Sequence, residues 1–248
     1  MIEIKNLTKS FGNILIWENV NLNIEDGETL AIIGKSGSGK SVLMKHINAL
    51  MNPNQGEVRI DGENIFGMSY AELRNIRQRF GVLFQGAALF DSISAFENVA
   101  FPLRYFTDYS ESKIRKRVLE CLEQVNLGAI GDKSTAALSG GMRKRVGLAR
   151  AIVLRPDYIL YDEPTSGLDP ETSNEINDLI ELMANELDVL SIVVTHDMHS
   201  VLRVADKVAF IDEQKLSWYG TIEEMEASSH QNLNKFIRAS EYQISQMR

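Results

Sequence analysis

The sequence predicts an α/β fold: a core of parallel strands, an antiparallel β addition near the N-terminus, and a helical subdomain inserted into the core. Three observations carry this. Short β-rich runs at 2–7, 14–23, 28–33 and 57–60 come first along the chain. Uninterrupted apolar runs at Leu30-Ala31-Ile32-Ile33, Tyr158-Ile159-Leu160-Tyr161 and Ile192-Val193-Val194 read as strands buried on both faces of a parallel sheet. Between about 86 and 155 such runs vanish and apolar residues recur at helical spacing, notably at 112–125 and 141–154.

Taken in order, Met1-Ile2-Glu3-Ile4-Lys5 alternates apolar and polar residues, which is the pattern of a half-buried strand and not of a signal peptide. Residues 14–23 and 57–60 extend this antiparallel part. The run ending at Ile33 leads into a glycine-rich turn and then a helical stretch at 42–50. After the helical insertion, strands are expected at 158–161, 191–195 and 208–211. The last stretch, 222–248, is polar and helix-prone; Leu233, Phe236 and Ile237 give it a weak apolar stripe, so a surface helix with a frayed end is expected. Residues 241–248 show no feature that can be matched to a docking tail.

Composition narrows the function. A hydrophobic share of 44% over 248 residues supports a substantial core, in one domain of ordinary to large size or two small ones. The net charge of −8 opposes nonspecific attraction to nucleic acid or to an anionic lipid surface, so no nucleic-acid partner is expected. Cys121 is the only cysteine, which excludes an intrachain disulfide framework and a multi-thiolate zinc site and fits a reducing compartment. The longest apolar runs, at 30–33 and 191–194, are far too short to span a bilayer. If a membrane is involved, another chain crosses it.

Gly34-Lys35-Ser36-Gly37-Ser38-Gly39-Lys40-Ser41 matches G-x-x-x-x-G-K-[ST] in full, between a strand and a helix. Glycines at these spacings let backbone N–H groups converge on phosphate oxygens, and the helix start adds about half a positive charge. Lys40 supplies a cation for the β- and γ-phosphates, and the Ser41 hydroxyl is placed to bind Mg²⁺. A second apolar run ends in Asp162-Glu163-Pro164. Ligands of parallel sheets bind at the carboxyl ends of strands, so Asp162 should reach the Mg²⁺ shell and Glu163 the attacking water. The third run ends at Thr195-His196-Asp197, where His196 is assigned a sensor role on the γ-phosphate.

Leu138-Ser139-Gly140-Gly141-Met142 resembles the LSGGQ signature of ATP-binding-cassette (ABC) ATPases. With the phosphate loop, Asp162-Glu163, Ser166-Gly167-Leu168-Asp169, Gln85 and His196, it completes the family's motifs in the family's order, from Phe11 to about Gly220. The resemblance implies a P-loop NTPase (RecA-like) core, an ABC ATPase domain over 1–222 with a helical subdomain at about 86–155, and a helical tail at 223–248. It implies ATP and Mg²⁺, with Ser139, Gly140 and Gly141 binding the γ-phosphate held by a second copy of the chain. By the same resemblance Gln85 touches Mg²⁺ and links the subdomains, Asp169 carries contact between the two sites, and Phe11 stacks on adenine. Met142 stands where the family usually has Gln; because backbone N–H groups and Ser139 supply the phosphate contacts, hydrolysis is expected to survive, and helix packing is the larger part of Met142's role.

The stretches from Leu83 to Ser92 and from Ser139 to Val146 look like the ATPase of Mla/Mce-type phospholipid transporters. This implies permease subunits, a substrate-binding Mce-type protein, a small cytosolic accessory subunit, and a peripheral place on the cytoplasmic face of the inner membrane. Gly86, Ala87 and Ala88 would let a permease helix approach closely, with Leu89 and Phe90 filling the groove; a plain subdomain joint competes with that reading. Arg143-Lys144-Arg145 reads as a solvated helix face, with one arginine near the partner site. Two alternatives stand beside transport: a cassette ATPase of DNA repair or translation, and a module that senses ATP without turnover.

Overall fold

A computed structural model describes residues 1–128 and 130–246, with side chains described through Ser240. The first half of the chain runs β1 (Ile2–Phe11), β2 (Ile14–Ile24), β3 (Thr29–Gly34), α1 (Lys40–Ile47), β4 (Gln55–Ile60), β5 (Glu63–Asn64), α2 (Tyr70–Gln78), β6 (Phe80–Leu83), α3 (Ala95–Phe106) and α4 (Glu111–Gln124). The second runs α5 (Gly140–Ile152), β7 (Tyr158–Asp162), α6 (Pro170–Leu187), β8 (Leu190–Val194), α7 (Met198–Val204), β9 (Lys207–Asp212), β10 (Lys215–Thr221), α8 (Ile222–Glu226) and α9 (Gln231–Gln246). The chain separates into two compact units, one formed by Met1–Arg77 with Leu190–Arg248, the other by Gln78–Val189.

The first unit holds an antiparallel sheet in the order β2-β1-β4-β5. It buries Ile2, Ile4 and Leu7 of β1 and Trp17, Val20, Leu22 and Ile24 of β2; the period of two expected when one face is covered holds at Ile2–Ile4 and Val20–Ile24 and is interrupted by register shifts before Leu7 and between Trp17 and Val20. The same unit carries a mixed array in which β3 lies parallel to both β8 and β9, and β10 returns antiparallel to β9. Every residue of β3 and β8 is buried, which explains the apolar runs Leu30-Ala31-Ile32-Ile33 and Ile192-Val193-Val194 within them. The C-terminal stripe is better anchored than its sequence suggests. Leu233 is fully buried against Phe210 and Met225, and the Phe236 ring sits 5.5 Å from that of Phe210.

The second unit pairs β6 with β7 in parallel and packs α5 on β6, with α3, α4 and α6 against α5. Two of these elements carry no obvious sequence signal. β6 is four residues long and includes Gly81, whose Cβ, if present, would lie 2.4 Å from the Ala151 carbonyl oxygen. α3 contains Pro102 yet continues, and is capped by Ser94 accepting from the Glu97 N–H. α6 begins with Asp169 as its cap and Pro170 in its first turn, a start signal present in the sequence. Among the described residues no helix is long and apolar enough to cross a membrane.

Candidate functional site

In the first unit the Gly34–Ser41 segment leaves β3 as a loop and enters α1 at Lys40. Gly34, Gly37 and Gly39 have φ of 153°, 78° and 93°, a region that L side chains rarely adopt. Gly39 is required twice over, because a Cβ there would lie 2.7 Å from Ile16 Cγ2 and 3.1 Å from the Trp17 ring. The buried Lys40 side chain curls over the loop, its ammonium donating to the carbonyls of Gly34 at 2.8 Å and Lys35 at 3.0 Å. Ser38 Oγ is shut off from solvent with no hydrogen-bond partner, a polar atom suited to an oxyanion. Lys35, Ser36, Gly37 and Ser41 are exposed.

β3 and β8 run parallel with Ile32 opposite Val194, so the loop after β3 and Thr195-His196 after β8 leave the array at one edge. His196 is exposed there. Phe11 closes the β1–β2 hairpin with 45% of its surface exposed and Lys9 Nζ 5.0 Å from its ring centre, an aromatic free to stack on a flat base.

In the second unit the register Leu83–Tyr161 brings Gln85, which follows β6, and Asp162-Glu163, which end β7, to one edge as well. Gln85 is exposed, and the two carboxylate residues are partly exposed. Glu163 sits at φ 48°, unusual for a residue with a side chain. α5 starts at Gly140, with Ser139 Oγ accepting from the Met142 N–H at 3.3 Å; Ser139 and Gly140 are exposed. Gly141 is buried where a Cβ would lie 2.5 Å from Thr172 Cγ2. Asp169 caps α6 with both oxygens, accepting from the Thr172 N–H at 2.9 Å and its hydroxyl at 2.7 Å, which holds its carboxyl below the usual carboxylate range.

The helix starts differ in their electrostatics. Helices α2, α3, α4, α6 and α8 each carry a glutamate in the first turn, which satisfies the positive end of the helix from within the chain. α1, α5, α7 and α9 carry none; α7 is capped by the Asp197 carboxylate and α5 by the Ser139 hydroxyl, whereas α1 has no side-chain cap. α1 follows a glycine-rich loop and α5 opens on Gly140 and Gly141, so the first N–H groups of each can accept an external anion.

A family model described as "ABC transporter" matches residues 17–166, which span the phosphate loop, the Ser139 turn and Asp162-Glu163. The chain belongs to the ABC transporter family. It is an ATP-binding, ATP-hydrolysing cassette, similar to the intermembrane phospholipid transport system ATP-binding protein MlaF of Haemophilus influenzae at 43% identity, over 96% of this chain and 90% of that protein. It is similar also to the probable ribonucleotide transport ATP-binding protein mkl of Mycobacterium leprae at 44% identity, over 95% of this chain and 68% of that one. Among solved structures, the cassette MJ0796, dimeric and bound to ADP and Pi after hydrolysis, aligns with a TM-score of 0.82 and 35% identity, over 90% of this chain and 99% of that one.

Several expectations for this ABC ATPase need correction. Arg143-Lys144-Arg145 is not one solvated face: Lys144 is 4% exposed, because successive helical residues point about 100° apart and the middle one faces inward. Ala87 is buried beside Gly147, so its small size serves packing inside the unit, and Leu89 is buried rather than lining a groove. Phe90 is exposed and joins Phe101 and Tyr105 in a ladder of rings at 5.1 Å and 6.2 Å. Cys121 is fully buried and its thiol is pushed up to about 11 by desolvation, which removes it from any redox or nucleophilic role. The side chains of 241–248, where no docking feature was legible, lie outside the described residues.

Proposed function

We propose that two copies of the chain close on two ATP molecules, hydrolyse them, and drive a permease that moves phospholipid between the inner and outer membranes. The observation that supports the ATP chemistry most directly is the loop entering α1, where glycines at positive φ, the buried Lys40 ammonium and the solvent-shielded Ser38 Oγ come together; the Ser139-capped start of α5 is the second anion-accepting helix start. One cradles the phosphates of its own nucleotide; the other, on the second copy, meets the γ-phosphate of that same nucleotide. Gly34, Lys35, Ser36, Gly37, Ser38 and Gly39 form the cradle, Phe11 stacks on the base, and Asp169 carries contact between the two sites.

Mg²⁺ would be held by Ser41, Gln85 and Asp162, an all-oxygen donor set that suits a hard cation, and it supplies charge neutralisation at the phosphates. Lys40 withdraws charge from the β- and γ-phosphates as the terminal bond breaks. Glu163 orients and deprotonates the attacking water, and His196 donates a hydrogen bond to the departing phosphate. Each nucleotide touches both copies only when they are closed, so its differential affinity moves the pair and the membrane partner with it. On this reading residues 1–222 form the ATPase domain, 223–248 a helical tail, and the assembly sits at the cytoplasmic face of the inner membrane with a Mce-type protein and a small accessory subunit.

The lipid cargo is supported by the likeness to MlaF over nearly that protein's whole length. A ribonucleotide cargo is the second reading, favoured by the comparable likeness to mkl. A tagged chain recovered from detergent-solubilised membranes, with its permease and bound lipid identified by mass spectrometry, separates them; a sugar, metal or nucleotide permease overturns the lipid assignment. In parallel, Glu163→Gln is expected to retain ATP binding, trap the closed dimer, and lose at least about a hundredfold in hydrolysis. Unchanged hydrolysis overturns the assignment of Glu163.

A further inference from the structure

The three consecutive cations of α5 have different fates. Arg143 donates to the Thr135 carbonyl at 3.3 Å and pairs with Asp91 at 3.1 Å, and Arg145 pairs with Glu175, all near the surface. Lys144 turns inward, and its ammonium donates to the backbone carbonyl of Glu163 at 2.9 Å. A lysine this deeply buried is rare, because the ammonium leaves water for a single strong partner. Desolvation lowers its pKa to about 8, opposed by the negative charges of Glu163 and Asp162.

The partner carbonyl is itself unusual. It belongs to a residue at φ 48°, a strained conformation for a residue with a side chain, which persists only where the surroundings hold it. Two donors hold it: Lys144 Nζ and the Ser166 N–H at 3.2 Å. The helix bearing Lys144 has little room to slide. A Cβ at Gly147 would lie 2.7 Å from Leu83 Cδ1, and one at Gly141 would lie 2.5 Å from Thr172 Cγ2, so α5 is seated against both neighbours.

We propose that Lys144 is a positioning residue for ATP hydrolysis: by gripping the Glu163 carbonyl it fixes the left-handed backbone from which the Glu163 carboxylate works, and ties that carboxylate to the helix opening at Ser139. The inference rests on the reading of Glu163 as the water-orienting group. It gives α5 two ends of one task, because movement of the Ser139 end is transmitted through a seated helix to the hydrolytic residue within the same copy.

The test compares Lys144→Met, which keeps the length and loses the donor, with Lys144→Arg, which keeps a donor, in the full-length ATPase. Lys144→Met is expected to lower kcat about 10- to 100-fold while KM for ATP stays within about twofold. Its melting temperature should fall little, since the Glu163 carbonyl keeps the Ser166 N–H as a donor and the desolvation of the ammonium is relieved. Lys144→Arg should recover most of kcat. Combined with Glu163→Gln, Lys144→Met should add no further loss, because it acts through the group already removed. Full kcat in Lys144→Met overturns the inference and leaves the Glu163 reading intact when Glu163→Gln is itself inactive. A loss of kcat that comes with a clearly lowered melting temperature and raised KM, or that adds fully to Glu163→Gln, makes Lys144 structural and also overturns it. Normal turnover in Glu163→Gln brings down both.

Discussion

Arg150, in the last turns of α5, reaches back to donate to the carbonyl oxygen of Ala87 at 2.6 Å. A second N–H of the same guanidinium meets the Ala88 carbonyl at 2.8 Å. Ala87 and Ala88 stand at φ 59° and 46°, so the segment following Gln85 is a strained turn clamped by one planar cation. Replacing Arg150 by Met should cost about 1.5–3 kcal/mol, the range for charge-assisted hydrogen bonds, and the loss should be local. Hydrogen exchange followed by mass spectrometry is expected to speed up at least about tenfold at residues 84–90 while β7 stays protected. Unchanged exchange there would show that packing of Ala87 on Gly147 holds the turn without the clamp.

Ser139 has a local task, capping α5, and a proposed task toward the nucleotide of a second copy. Two substitutions separate them. Ser139→Ala removes the cap and should lower stability by about 1 kcal/mol. Ser139→Asp preserves the cap, because a carboxylate accepts from the same N–H, but places a negative charge where the γ-phosphate should arrive. It should fold as well as the parent and lose hydrolysis and ATP-dependent dimerisation. Retained turnover in Ser139→Asp would remove this helix start from the site.

His46 sets a pH limit on stability. It is fully buried in α1, with Nδ1 donating to the Val42 carbonyl at 2.7 Å and Nε2 buried without a partner. Protonation would bury an unpaired N–H, and desolvation holds the imidazole below its usual range, with Lys9 adding a smaller effect in the same direction. The unfolded chain therefore takes up this proton as pH falls through about 6.5 while the folded one resists, so the contribution is complete above that pH and is lost below it. Urea unfolding at pH 7.5 and 5.5 should show a lower midpoint in acid, and His46→Gln should reduce the difference. An equal acid shift in both proteins would assign the effect to other groups.

Much of the site was legible because its chemistry is sequential. Eight consecutive residues from Gly34 to Ser41 make up the proposed phosphate loop, and their glycines announce backbone angles that other residues avoid. The strands at 158–162 and 190–194 were legible because burial on both faces leaves the apolar runs 158–161 and 192–194 within them. β6 was not: four residues with a glycine among them carry too little periodicity, and its reason for glycine, the Ala151 carbonyl, lies on a distant part of the chain. α3 was hidden by Pro102, which its helix tolerates.

The inward turn of Lys144 shows where sequence reading stops. Three cations in a row on a helix must diverge by about 100° each, so they cannot all share a solvated face, and that much could have been deduced. Which of them faces inward, and that it meets the Glu163 carbonyl, depends on how α5 seats against β6, Ala87 and Thr172. By itself the sequence determined the class of fold and the family, and it nominated the groups proposed to bind a triphosphate, because those rest on local backbone geometry and residue chemistry. Tertiary structure alone decided which small residues pack internally, that Arg150 clamps the turn after Gln85, and that Lys144 touches Glu163. Those contacts join segments far apart in the chain, and hydrogen bonds to main-chain carbonyls leave no mark on the partner's side chain for a sequence to display.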